Sequence, residues 1–225
     1  MENLKYYAFI SLVLGIIAVI LYLSYEITSF NRTGANKFSF LRNYPYEANC
    51  FRKNQKSSWI LVTTKILIVL LFIIPFVFYV IYKGSADLAF NIILLVLALA
   101  SLVTFFFLSF TKLSNLKLHL GLMVTFTMLV FLINIVELMF LGAKDKMNIN
   151  HNPQVAIVVV TIALFLFQCF LLLNPSYKTW DKMQKVGSDN YIRPKFCYLC
   201  ILEWGSGLVF VLEYASLFIA FFFGI

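Results

Sequence analysis

Residues 193–204 read RPKFCYLCILEW, which sets Cys197 and Cys200 three positions apart and Glu203 one turn further on. Thiols at the first turn of a helix meet unpaired backbone N–H groups, and a CxxC pair there can do redox chemistry or hold a metal. A four-thiolate zinc site would use Cys50, Cys169, Cys197 and Cys200, but such sites ordinarily combine two tight pairs, and the second pair is missing. The plainer reading is four reduced, unrelated thiols. The stretch is then chiefly a helix entrance, with Arg193 and Lys195 at headgroup level and Pro194 helping to set the start. No metal or cofactor is expected.

The other residues with chemical potential are ionisable or polar groups inside long apolar runs, where lipid surroundings make them costly. Glu213 stands near the middle of the last run and has to be neutral, paired or facing water. Asn134, Gln168, Ser101 and Thr161 could reach its depth from neighbouring runs. Lys65 and Glu203 sit at matching depths from one membrane face, so an ion pair between them is expected. Glu137 and Asn91 match in depth near the other face and suggest a hydrogen bond between adjacent helices. Carboxylates at such depths often mark proton or cation pathways, and Glu213 is the strongest candidate.

The elements that must position these groups are membrane helices. Of 225 residues, 62% are hydrophobic and only 12% charged, with 25 Phe and a mean hydropathy of +0.89. A soluble domain of this length has too little interior for that much apolar surface. Six spans are expected, at about 5–25, 59–82, 87–110, 117–142, 154–174 and 199–224. The runs are continuous rather than alternating, which excludes a membrane β-barrel. The fold class is therefore all-α, a polytopic six-helix bundle forming one integral membrane domain, with connections 26–58 and 175–198.

Of the 18 Lys and Arg residues, thirteen fall in the first, third and fifth connections and four on the opposite side. Both termini are accordingly expected outside and the two long basic connections in the cytoplasm, with the plasma membrane as the setting. The net charge of +8 is then explained without nucleic acid. The basic, aromatic-rich connections suit anionic lipids. NPSYKTWDKMQKVG (174–187) reads as a short amphipathic interfacial helix from Asn174 to Gly187.

Two backbone features bear on packing. Pro75 falls inside the second span, where it leaves the carbonyl of Leu71 without its helical donor and introduces a kink. In the last span Gly205, Gly207, Ser216, Ala220 and Gly224 make a line of small residues suited to close helix contact, within the chain or with a membrane-protein partner or second copy.

Quinone-coupled thiol oxidoreductases such as the vitamin K epoxide reductase family also set a CxxC beside a helical bundle. They need a second thiol pair in a loop on the oxidising side, and this chain has only Cys50 in a loop. The pair Glu203-Trp204 resembles the start of the sixth span in DRAM-like lysosomal membrane proteins, and YPYEANCF resembles a loop of the small subunit 3 of complex I. Both likenesses are too local to carry residues across. The leading functional expectation is a membrane transport protein: a permease, a channel-like protein or a membrane subunit of a transport complex. A non-catalytic assembly subunit and a membrane enzyme acting on lipid or thiol substrates are the alternatives; the histidines, His119 and His151, are expected on opposite faces of the membrane.

The charge asymmetry makes a direct prediction. In a cysteine-free background, Lys178→Cys should resist a membrane-impermeant maleimide in intact cells and label after permeabilisation. Labelling of intact cells would reverse the orientation.

Overall fold

The computed structural model describes residues 2–33, 37–44, 47, 58–83, 88–111, 115–143, 152–175, 184–186, 190–192 and 196–222. Long apolar runs without internal breaks become long helices, because the helix satisfies every backbone group within its own segment. They are α1 (Glu2–Thr33), α2 (Ser58–Lys83), α3 (Leu88–Leu108), α4 (Leu116–Ala143), α5 (Asn152–Leu173) and α6 (Tyr198–Phe222). Five of them contain described stretches long and apolar enough to cross a membrane; in α2 the described apolar stretch is the shorter Val62–Ile74. The protein is a helical bundle with the character of an integral membrane protein.

Two elements depart from the expected layout. α1 does not stop near residue 25 but runs two further turns to Thr33, because Glu26 and Phe30 continue its buried face. The interfacial helix expected over 174–187 is not formed at its end. Gln184–Val186 (β1) instead pairs antiparallel with Asn190–Ile192 (β2), and Lys185 stands opposite Tyr191. Gly187, Ser188 and Asp189 lie between the strands, and such turn formers flanked by Val186 and Ile192 favour a hairpin over a helical end.

Neighbouring helices pack in sequence order, and α6 closes the bundle against α5, α4 and α1. The relative directions follow from the contacts. α4 and α6 run parallel, since His119 meets Glu203 near their starts and Phe126 meets Phe210 further along. α5 is antiparallel to both: Phe131 of α4 stacks on Phe165, and Thr127 lies beside Gln168. The surface is strongly apolar, with Leu21, Val96, Val159, Phe170 and Leu208 among many exposed large side chains. That is the pattern of a lipid-facing exterior.

Packing is closest at two glycines. A Cβ on Gly15 of α1 would stand 3.3 Å from the ring of Phe72 on α2. One on Gly205 of α6 would stand 2.7 Å from Cδ1 of Leu171 on α5, so this part of the small-residue line serves contact within the chain. Gly224 lies outside the described residues, as does the side chain of Ala220.

Pro75 lies within α2, which continues through it. Having no N–H, it leaves the Leu71 carbonyl without a helical donor, and the Ser11 hydroxyl of α1 donates to that carbonyl at 3.0 Å. The lost bond is thus replaced from a neighbouring helix, as an apolar medium requires. Ser11→Ala should therefore destabilise the bundle by about 1–2 kcal/mol, the cost of leaving a buried carbonyl unpaired. In a Pro75→Ala background, where residue 75 regains its N–H, the same substitution should cost much less. Equal costs in both backgrounds, measured by thermal unfolding in detergent, would refute the link.

Candidate functional site

The seam between α4, α5 and α6 gathers ten of the sixteen buried polar side chains among the described residues. On α4 they recur as His119, Thr127, Asn134 and Glu137; on α6 as Glu203, Ser206, Glu213 and Ser216; on α5 as Thr161 and Gln168. These spacings of three, seven and eight keep each set on one helical face. Three levels result.

The first level lies at the starts of α4 and α6. His119 Nε2 stands 3.2 Å from a Glu203 carboxylate oxygen, with both side chains fully buried. Nδ1 of the same ring lies 3.0 Å from the Thr111 carbonyl, an acceptor, so Nδ1 carries a hydrogen. One proton then lies between Nε2 and Glu203, whichever atom owns it. The first connection folds over this pair. The Tyr44 ring meets the His119 ring edge-on at 5.1 Å, and the Tyr44 hydroxyl lies 3.4 Å from Cys197 Sγ. The backbone N–H of Cys197 donates to the Leu41 carbonyl, and the Trp204 indole N–H donates to the Asn43 carbonyl. Burial, then the two nearby thiols and Glu203, push the Tyr44 phenol above its ordinary range, so it keeps its proton.

The second level is a hydrogen-bonded cross-link. The Gln168 amide donates to the Thr127 carbonyl at 3.3 Å and to the Ser206 hydroxyl at 3.4 Å. Ser206 in turn donates to the Thr127 hydroxyl at 3.3 Å. One side chain from α5 thereby ties α4 to α6.

At the third level Glu137 of α4 and Glu213 of α6 bring their carboxyl groups within hydrogen-bonding reach of each other. Both are buried, and no described group donates to any of their four oxygens. Two carboxylates have no donor between them, so the contact requires a bound proton or cation. One turn beyond the Phe131–Phe165 stack, Asn134 and Thr161 stand at nearly the same level, with Asn134 Oδ1 and Thr161 Oγ1 buried and unpartnered. Asn91 is fully buried on α3, and neither amide atom has a partner.

Several expected pairings are thereby replaced. Lys65 does not meet Glu203: its ammonium donates to the Ser109 hydroxyl at 2.8 Å and lies 4.1 Å from the centre of the Phe110 ring. Lys65 points toward the end of α3, while Glu203 turns toward α4. The expected Asn91–Glu137 bond is absent, because Glu137 faces α6. Counting back along antiparallel α3 from the Phe105–Phe126 contact also puts Asn91 about a turn beyond Glu137. Glu137 and Glu213, expected near the outer face and near the midplane, turn their side chains toward each other.

Cys197 and Cys200 are buried thiols at the start of α6, and Cys169 is a half-buried thiol on α5. Cys50 lies outside the described residues. No metal-binding group of three His, Cys, Asp or Glu residues exists among the described residues. Two participants escaped the sequence reading. His119 as the partner of Glu203 was signalled by their matching depth; the buried Glu26 was hidden because the first span was ended one residue before it.

Beside the seam lies a cavity of about 640 Å³ between α1, α2, α3 and α6, lined among others by Val19, Phe72, Phe105, Trp204 and Leu208, with Lys65 and Ser109 in its wall. Its lining is complementary to a hydrocarbon chain.

No protein-family model, curated protein or solved structure matches the chain. The functional reading therefore rests on the geometry of the seam alone.

The His119–Glu203 pair makes a measurable claim. His119→Leu alone should destabilise the protein by about 3 kcal/mol, because it strands a buried carboxylate. Adding Glu203→Leu should recover much of that loss. Strictly additive costs in thermal unfolding would mean that the two residues do not act as a pair.

Proposed function

We propose that the protein is a membrane transport protein whose polar intramembrane site is the Glu137–Glu213 pair. It acts as a permease, a channel-like protein or the membrane subunit of a transport complex. The observation that carries the reading is two buried carboxyl groups facing each other, to which no other described group donates. A structural role would be met at lower cost by apolar residues, or by a carboxyl group bonded to a backbone carbonyl. A buried pair that is stable only while it holds a proton or a cation is a binding station.

The rest of the seam supports the same reading. The His119–Glu203 pair holds a second exchangeable proton at the opposite end. Thr127, Gln168 and Ser206 bridge the interval, with the carbonyl oxygen of Gln168 buried and unpartnered. The positive-inside asymmetry suggests that the His119 end faces the cytoplasm and that the membrane is the plasma membrane.

The test is flux in reconstituted vesicles with an internal pH dye and an imposed ion gradient. Glu213→Gln and Glu137→Gln should each lower flux by about tenfold or more, since each removes one exchangeable carboxyl group from the station. Gly207→Ala, where the nearest side-chain atom to an added Cβ is 3.8 Å away, should leave it unchanged. Wild-type flux in both carboxamide variants would end the proposal.

A further inference from the structure

We infer that the cavity between α1, α2, α3 and α6 binds a phospholipid of the ethanolamine class, whose phosphate meets Lys65 and whose ammonium meets Glu26. The cavity shares no lining residue with the Glu137–Glu213 station. Its volume of about 640 Å³ is that of a built ligand site, and its wall is polar at one end only. At that end stand Lys65 near the start of α2, Ser109 just past α3, Trp204 near the start of α6, and Tyr22 and Glu26 toward the end of α1. From there the apolar wall runs inward from Lys65 to Phe72 on α2 and from Trp204 to Val211 on α6, about 10 Å at the helical rise. A polar end with Tyr and Trp beside it, and an apolar body directed into the bundle, has the polarity of a membrane lipid. Ile20 of α1 and Leu208 of α6 line the cavity and are more than half exposed, so it opens between these helices onto the apolar exterior, where a second acyl chain can remain in the bilayer.

The order of the charges selects the headgroup. Lys65 is only 8% exposed and stands in the cavity wall. Its ammonium donates to the Ser109 hydroxyl at 2.8 Å and to the Ser109 carbonyl at 3.4 Å, and otherwise meets the rings of Phe110 and Tyr22. No described carboxylate forms an ion pair with it, so a buried cation faces an apolar cavity without a counter-ion in contact. Phosphate oxygens supply that charge and accept its N–H groups. Glu26 is the other charged residue of the wall. α1 and α2 are antiparallel, with Ser11 beside Leu71, Gly15 beside Phe72 and Tyr22 beside Lys65. Glu26 follows Tyr22 by one turn, so it lies about 6 Å nearer the end of the bundle than Lys65. A cation further in and a carboxylate one turn further out match, from the acyl chains outward, the phosphate and the primary ammonium of an ethanolamine headgroup. A choline headgroup has no N–H to donate to Glu26, and a glycerol headgroup brings no positive charge to it.

Native mass spectrometry of the purified, delipidated full-length protein in detergent tests this, with dioleoyl phosphatidylethanolamine, phosphatidylcholine and phosphatidylglycerol as probes. The expected result is one saturable adduct per chain with the ethanolamine lipid, formed in preference to the other two. Lys65→Met and Glu26→Gln should each weaken that adduct about tenfold, the loss of one hydrogen bond between charged groups. Glu26→Gln should also erase the preference over the choline lipid. Lys117→Gln, exposed on α4 and outside the cavity wall, should change nothing. Val19→Trp keeps both charges and fills the cavity, so it should remove the adduct with an unchanged unfolding temperature; a misfolded Lys65 variant therefore does not decide the matter. Absence of a saturable adduct, equal uptake of the three lipids, preference for the glycerol lipid, or an adduct that survives the Lys65 and Val19 substitutions would each overturn the inference. Glu213→Gln should lower flux and leave the adduct intact, so the lipid site and the transport reading fail separately.

Discussion

In this bundle the medium outside is as apolar as the interior, so burying hydrocarbon cannot decide how the helices turn toward one another. The polar groups decide it. Large aliphatic and aromatic side chains cover the exterior, while Asn91, Ser101, His119, Asn134, Gln168, Glu203 and Ser206 have no accessible surface. A polar group turned outward would lose its partners in lipid, a cost of several kcal/mol for a backbone group or an ion. Each helix therefore has one rotational setting that brings its polar stripe inward, and for α4, α5 and α6 those settings converge on a single seam. Once they converge, the parallel run of α4 and α6 brings His119 to Glu203 at one end and Glu137 to Glu213 at the other.

The strength of the seam does not come from its hydrogen bonds alone. Polar contacts between membrane helices average only about 0.6 kcal/mol, because the separated helices also find partners. The close seating of Gly205 on Leu171, the Phe131–Phe165 stack and the Phe105–Phe126–Phe210 aromatic group supply the packing that holds α3, α4, α5 and α6 together. The polar levels add register. A one-turn slip of α6 past α4 would separate both acid pairs and the Gln168 cross-link at once. Ser11 performs the same service for α1 and α2, where its hydroxyl meets the carbonyl that Pro75 leaves open.

Much of this was legible in the sequence because run length and hydropathy are local properties. The helical bundle and the polar residues of interest followed from them, as did the orphaned Leu71 carbonyl. Partner choice was not legible. Depth along a helix can be counted from its ends, but the direction in which a side chain points also requires knowing which helix is the neighbour. Lys65 and Glu203 agreed in depth and differed in direction. Glu137 and Glu213 were expected at different depths from span ends that agree with α4 and α6 to within two residues, and the turning of their side chains toward each other is not a property of depth. The extension of α1 beyond residue 25 was obscured by Glu26, Asn31 and Arg32, polar residues that lower the local hydropathy without interrupting the helix. The β1–β2 hairpin was masked by a lysine spacing that also fits an amphipathic helix.

The two pairs are ten residues apart along α6 and eighteen along α4, about 15 Å and about 27 Å at the helical rise. That is too far for a direct proton transfer, which needs donor and acceptor within about 3 Å or one bridging water. Any coupling between the ends must pass through what lies between them, and the cross-link of Thr127, Gln168 and Ser206 occupies that interval. Its hydroxyls can accept and donate in turn, whereas the Gln168 amide only donates to them, so the cross-link relays a proton only where hydroxyls or water lead past the amide. At the His119 end, Tyr44, with its phenol held neutral, covers the pair, and the Trp204–Asn43 and Cys197–Leu41 bonds fasten the first connection to the start of α6. Access from that side therefore requires the first connection to lift or α6 to move, and the same motion would strain the Gln168 bridge. Displacing α6 at one end and breaking the cross-link in the middle are thus mechanically linked through a single helix.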